Sequence, residues 1–181
     1  LSPKIQNAAL KACGLEGEYS LFPIAPDDMQ ALRDLLSRVR SGEVTGLNVT
    51  IPHKQNVIPF MDELTPTAQA IGAVNVIYLR GDKLIGDNTD ASGFLADLKR
   101  VFDFSSFILL PSALILGAGG SARSVVYALL NDGWNVTIAA RRIEQAQQLA
   151  SSLSNYQLQI TKSNSPILQF SLNPVRSSHA S

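Results

Sequence analysis

The chain has 181 residues, 45% of them hydrophobic and 17% charged, enough apolar material for one packed domain or two small ones. Fifteen Lys and Arg balance fifteen Asp and Glu, so no basic face large enough to track a phosphodiester is expected, and nucleic acid is not an expected partner. A lone Cys13 excludes an internal disulfide, no Cys/His cluster has metal-ligand spacing, no apolar run reaches membrane-spanning length, and no secretory segment is visible.

Ser2 and Pro3 read as an N-cap and a first helical position, opening a helix that runs through Ala12 and stops at Gly14. Cys13 lies within that pattern and reads as packing. Tyr19 to Ala25 reads as a short strand. Asp27 caps a second helix, with Met29, Leu32, Leu35, Leu36 and Val39 on one face and an end near Gly42. Gly46 to Ile51 reads as a buried strand closed by Pro52, and His53 to Phe60 as the start of a short helix. Val74 to Leu79 and Lys83 to Asp87 read as a hairpin turning at Arg80-Gly81-Asp82, and Ala91 to Phe102 as a helix.

The pattern breaks from Asp103 to Ser112, which places a domain boundary there. Beyond it come a strand (Ala113 to Leu116), a glycine turn, a helix (Ser124 to Asn131), a strand (Asn135 to Ala139) and a helix (Ile143 to Leu153). That order opens a dinucleotide-binding fold. Trp134 reads as core or domain-interface packing. The chain begins at Leu1 without Met, and residues 163–181 are rich in Ser, Asn and Pro without periodicity. Both features lead us to expect a fragment with an irregular tail, in which His179 has no assigned role.

The glycine turn reads Gly117-Ala118-Gly119-Gly120-Ser121-Ala122 and meets the G-x-G-x-x-G/A pattern. Gly117 permits the tight turn, Gly119 lets backbone approach a pyrophosphate, and Ala122 lets the helix pack close to the sheet. The free N–H groups at the helix start favour phosphate. The second strand ends in Ala139-Ala140-Arg141-Arg142 rather than in an acid, and guanidinium groups there suit a 2′-phosphate, hence NADP.

Three upstream segments set polar groups in apolar context: Asn48-Val49-Thr50-Ile51-Pro52-His53-Lys54, Gly72-Ala73-Val74-Asn75 and Gly86-Asp87-Asn88-Thr89-Asp90. Taken singly, Lys54 is a solvated lysine, Asn75 a turn residue and Asp90 a helix cap. Together, in this order and followed by the glycine turn, the blocks resemble the signature blocks of the NADP-dependent shikimate dehydrogenase family over most of residues 1 to about 155.

That resemblance implies an α/β fold: an N-terminal three-layer α/β substrate domain, then the first part of a Rossmann domain. The corresponding divisions are 1–105, 106–162 for the partial NADP-binding domain, and the tail. It implies reversible NADPH-dependent reduction of 3-dehydroshikimate to shikimate, in chorismate and aromatic amino-acid biosynthesis, in a cytoplasmic or plastid setting. Lys54 and Asp90 match the family's catalytic pair. Thr50, Asn75 and Asp90 match side chains that bind ring hydroxyls, and Ser2 matches the second serine of a Ser-x-Ser-Pro carboxylate motif. Gly117, Ala118, Gly119, Gly120, Ser121 and Ala122 match the pyrophosphate loop and Arg141 the 2′-phosphate arginine, with Arg142 as an added phosphate contact.

His53 has no family role known to us and reads as structural. The sequence departs from the pattern at Ala91, where glycine is commoner, and at Ala140 and Arg142. The family's first strand and later Rossmann elements have no counterpart, so impaired activity is expected. The alternatives are a quinate/shikimate dehydrogenase and a non-catalytic truncated product. If Arg141 holds a 2′-phosphate, Arg141→Ala should weaken NADP binding and spare NAD. Titration of both cofactors checks this, and equal losses would remove the role.

Overall fold

In the computed structural model the described residues are 1–102, 111–140, 142–153, 156–161 and 168–174. Helix α1 (Ser2–Ala12) begins one residue earlier than the sequence suggests. Leu1 is its N-cap, Ser2 lies inside the first turn and makes no capping bond. No residue of α1 is buried, and Cys13 is exposed rather than packed. The stretch Tyr19 to Ala25 has no regular secondary structure and is not a strand. Pro23 lacks a donor, and the Tyr19 N–H donates to Asn7 Oδ1 at 2.7 Å instead of to a ladder.

Helix α2 (Met29–Arg40) is capped by Asp28, not Asp27, whose carboxylate accepts from Ala31 N at 3.0 Å. Its apolar face buries Leu32, Leu35, Leu36 and Val39, as the 3.6-residue spacing requires. Of these, Leu32, Leu36 and Val39 share a core with Val57, Ala68, Val74, Ile77 and Leu84. Beneath lies a four-stranded sheet of β1 (Gly46–Asn48), β2 (Glu63–Leu64), β3 (Val76–Arg80) and β4 (Lys83–Asp87), in the order β1-β3-β4-β2. Strand β1 is an edge strand with exposed Gly46 and Asn48, not the fully buried strand that its apolar run suggested. The β3–β4 hairpin is antiparallel from Val76↔Asp87 to Arg80↔Lys83 and turns at Gly81, whose φ is +64°.

The segment after Pro52 forms turns and a 3₁₀ helix at Ile58–Phe60. Sequence reasoning overlooked α3 (Pro66–Ile71), although Thr65-Pro66 is a hydroxyl cap followed by an N1 proline. Thr65 Oγ1 accepts from Ala68 N, and Gly72 ends the helix with φ +67°.

Helix α4 (Asp90–Val101) leads into the second unit: β5 (Ser112–Leu116), α5 (Gly120–Asn131), β6 (Asn135–Ala140) and α6 (Ile143–Ser152). Strands β5 and β6 are parallel with α5 as the crossover, the expected opening of a dinucleotide-binding fold. Their core gathers Val126, Leu129, Leu130, Trp134, Val136, Ile138 and Leu149, so Trp134 is core, as expected. Residues 168–174, assigned to the irregular tail by sequence, form β8 (Leu168–Pro174), antiparallel to both β6 and β7 (Tyr156–Thr161). Backbone pairing between strands does not need apolar periodicity, the signal on which the sequence reading relied. His179 lies outside the described residues, and no helix among the described ones is long and apolar enough to cross a membrane.

A third core of small side chains joins the two units: Ile71, Ala73, Ala91 and Ala128, with Phe94, Leu95 and Tyr127 against it. Ala91 therefore has its methyl in the joint itself.

Two glycines should respond oppositely to the same change. A Cβ on Gly86 would stand 2.8 Å from Leu64 Cδ2 and 2.9 Å from Met61 Cγ and Val74 Cγ2. Gly86→Ala should therefore destabilise the chain by about 1–3 kcal/mol. Gly93, within α4, has open space around its Cβ position, so Gly93→Ala should stabilise by about 0.5–1 kcal/mol. Urea unfolding of both variants checks the pair, and equal signs would contradict this packing.

Candidate active site

The three polar segments converge at one end of the first sheet. Val49 N donates to Asn75 O at 2.8 Å, and Asn75 N donates to Asp87 O at 2.9 Å, so the segments lie side by side. Val74 N donates to Lys54 O at 2.8 Å, which fixes the backbone beneath Lys54. The Lys54 side chain is not solvated: the residue is 8% exposed. Its ammonium donates to Asp90 Oδ2. The other carboxylate oxygen, Asp90 Oδ1, accepts from Asn75 Nδ2 at 2.7 Å. Asn75 Oδ1 in turn accepts from Thr89 N at 2.9 Å. Asn75 is thus more than a turn residue: its amide is fixed on both sides.

Asp90 is not the helix cap either. Asn88 Oδ1 accepts from Asp90 N at 3.1 Å and Ala91 N at 3.4 Å, leaving the Asp90 carboxylate to Lys54 and Asn75. Asn88 lies inside the Gly86-Asp87-Asn88-Thr89-Asp90 block, which does not by itself mark it for this part. Its position just before a helix, with an amide side chain, was the available signal. His53 points away from this cluster. Its Nε2 lies 3.0 Å from Ile24 O, and because a carbonyl only accepts, Nε2 carries the proton. His53 Nδ1 is buried without a partner, and the ring tethers the irregular 19–25 stretch through Ile24.

The glycine turn abuts the same cluster. Gly120 lies against the Lys54 stem, with Lys54 Cδ 3.2 Å and Cβ 3.3 Å from where a Cβ would stand. Gly120 therefore keeps the turn close to Lys54, a contact that motif spacing does not show. Gly117 has φ +109°, a conformation that favours glycine, and its N–H donates to Ala139 O at 2.7 Å. Gly119 is the N-cap of α5, with no side chain capping the helix and no atom within 4 Å of its would-be Cβ. A backbone this open at a helix start fits a dinucleotide pyrophosphate. Ala118 is buried and Ser121 exposed beside it.

Arg123, one turn into α5, is buried, and burial pushes its guanidinium below the usual arginine range. Its Nη1 reaches Ser152 Oγ at 3.4 Å and lies 3.4 Å from the Cβ position of Gly72. That places the group by the C-terminal ends of α6 and α3, whose carbonyl dipoles favour a cation.

Of the other residues singled out by sequence, Thr50 is exposed two residues past the end of β1, outside the strand that was expected to carry it, and Ser2 is exposed at the start of α1. Among the described residues, no hydrogen bond joins either side chain to Lys54, Asn75 or Asp90. Arg142 is exposed at the N-cap of α6, and Arg141 lies outside the described residues.

The pair Lys54–Asp90 should respond asymmetrically to mutation. Asp90→Asn leaves a buried ammonium without its carboxylate and should cost about 1–3 kcal/mol. Lys54→Met keeps the stem and leaves Asp90 bonded to Asn75 and open to water, so it should cost less than about 1 kcal/mol. Thermal unfolding of both variants reads the difference, and equal costs would mean that the ammonium is not desolvated.

Comparison with known proteins places this arrangement among relatives. A family model described as the shikimate dehydrogenase substrate binding domain matches residues 1–77, and one described as shikimate / quinate 5-dehydrogenase matches residues 108–169. Shikimate dehydrogenase (NADP(+)) of Oceanobacillus iheyensis is 41% identical over 150 residues, covering 82% of this chain and 54% of that protein. The crystal structure of shikimate dehydrogenase from Aquifex aeolicus superposes with a TM-score of 0.75 at 38% identity, over 85% of this chain and 56% of that one. The Thermus thermophilus enzyme, in complex with NADP(H) and shikimate, gives 0.72 at 37% identity over 84% and 56%. This chain thus spans about half the length of the relatives it matches.

Proposed function

Because this chain belongs to the shikimate dehydrogenase family, we propose that the protein it represents is an NADP-dependent oxidoreductase that interconverts 3-dehydroshikimate and shikimate. The observation that carries the reading is the meeting of Lys54, Asp90 and Asn75 against the glycine turn. Bound NADP(H) would supply the hydride chemistry, held by the 117–122 turn with Arg141 and Arg142 at the 2′-phosphate.

The chain's own residues handle position and the proton. Reducing a ketone builds negative charge on its oxygen and requires a proton there. The Lys54 ammonium has three N–H donors, and one is spent on Asp90. The remaining donors are available to an alkoxide oxygen, where a desolvated cation stabilises the developing charge. Asp90 and Asn75 present a carboxylate and an amide suited to ring hydroxyls, with Thr50 on the neighbouring strand end and Ser2 for the carboxylate. The division at residues 105 and 106 then separates substrate chemistry from cofactor binding. A cytoplasmic location fits a chain with one cysteine in its sequence.

Unfolding the chain with and without ligand tests the proposal. A ligand that binds only the folded form stabilises it by about 2.7 kcal/mol at a hundredfold excess over its dissociation constant. Shikimate and NADP should each raise the midpoint. Quinate matching shikimate would favour the broader quinate/shikimate activity, and no response to any ligand would leave a non-catalytic product. Where turnover is measurable, Lys54→Ala should lower kcat by about a hundredfold or more while changing KM far less.

A further inference from the structure

Asn88 makes more bonds than a helix cap needs, and they run in three directions. It is 3% exposed, and its Nδ2 donates to Ala73 O at 2.9 Å, pinning the segment that carries Asn75. Its Oδ1 accepts from the first N–H groups of α4, the helix that presents Asp90. The same oxygen accepts from Ser124 Oγ at 3.2 Å, across the joint in α5. Ser124 is fully buried, and its hydroxyl also lies 3.3 Å from Gly120 O, in the glycine turn that touches Lys54. The hydroxyl has one hydrogen, so the bond to Asn88 competes with a return bond to its own helix.

The surroundings make this contact distinctive. The buried part of the joint is otherwise built from Ile71, Ala73, Ala91 and Ala128, apolar side chains that slide without losing a directional bond, while at its surface Lys99 of α4 donates to Asp132 at the end of α5. Asn88–Ser124 is a directional contact in that apolar setting, between two groups that water does not reach. We propose that Asn88 is a positioning residue that, through Ser124, locks the Asp90-bearing helix to the glycine-turn helix, so that the substrate-pairing groups and the cofactor turn hold one register. The functional part of this proposal rests on the dehydrogenase reading above. The mechanical part does not.

Backbone hydrogen exchange in the unliganded chain tests the mechanical part. Ser124→Ala removes the cross-joint bond, together with the competing contact of the hydroxyl with Gly120 O, and leaves Asn88 with its backbone partners. Exchange at the Asp90 and Ala91 amides should then rise about fivefold, the equivalent of one ordinary hydrogen bond, while the β3–β4 hairpin amides stay as they were. Asn88→Ala should raise exchange at the same two amides further. Asn88→Asp should not restore protection, because it sets an oxygen against Ala73 O. Unchanged exchange at Asp90 and Ala91 in Ser124→Ala would overturn the proposal, even if the Asn88 variants fail to fold.

Ligand coupling tests the functional part. In the parent chain, shikimate and NADP together should stabilise more than the sum of their separate effects. In Ser124→Ala the excess should vanish while each separate affinity stays within about twofold. An undiminished excess would refute the coupling role. A parent that binds neither ligand would instead remove the dehydrogenase reading, with the exchange result still deciding whether Asn88 holds Asp90.

Discussion

A lysine ammonium withdrawn from water must have a carboxylate, and the rest of the site follows from that requirement. Lys54 is almost fully buried, and Asp90 answers it. The Asp90 carboxylate is left to do so because the side chain of Asn88, one residue before the Thr89 N-cap, takes the first N–H groups of α4, and Asn75 holds the second carboxylate oxygen. The pair therefore depends on three chain segments whose backbones are already in hydrogen-bonded register. Loss of that register would leave a charge uncompensated in a low-dielectric setting, where it is most costly.

The same lysine links the two halves of the chain. Its stem runs along Gly120, so the start of the dinucleotide helix can approach only because no side chain stands there. The small side chains of the joint serve the same end, letting α4 and α5 pack closely. Close helix approach aligns the elements, and directional bonds at Asn88 and Ser124 fix their relative register.

The second unit has a different balance. Its sheet has β5 at one edge, and that strand leaves Leu114 and Leu116 exposed, the latter at 78%. Parallel sheets ordinarily cover both faces, and here α5 and α6 contribute to one core alongside alternate residues of β5 and β6. The antiparallel β7–β8 hairpin occupies the free edge of β6 instead.

The periodic elements and the motifs were legible in the chain alone. The apolar face of α2, the hairpin turning at Gly81 and the β5-turn-α5-β6 order rest on short-range spacing, whereas the joining of Lys54 with Asp90 as a pair was only implied by the family resemblance of the blocks that carry them. Local chemistry was also readable where it went unread, as with the Thr65-Pro66 start of α3. Tertiary structure alone decided which neighbour each polar group would choose. The second oxygen of Asp90 takes Asn75, Asn88 meets Ser124 across the joint, and the Tyr19 N–H binds Asn7 instead of a strand. It also decided burial, turning Gly46 to Asn48 into an edge, exposing Cys13, and setting Gly120 against Lys54. Periodicity records which side of an element is apolar, because that follows from the repeat of the backbone. The partner of a hydrogen bond or the neighbour of a missing Cβ is set by residues distant in the chain, and only the packed molecule brings them together.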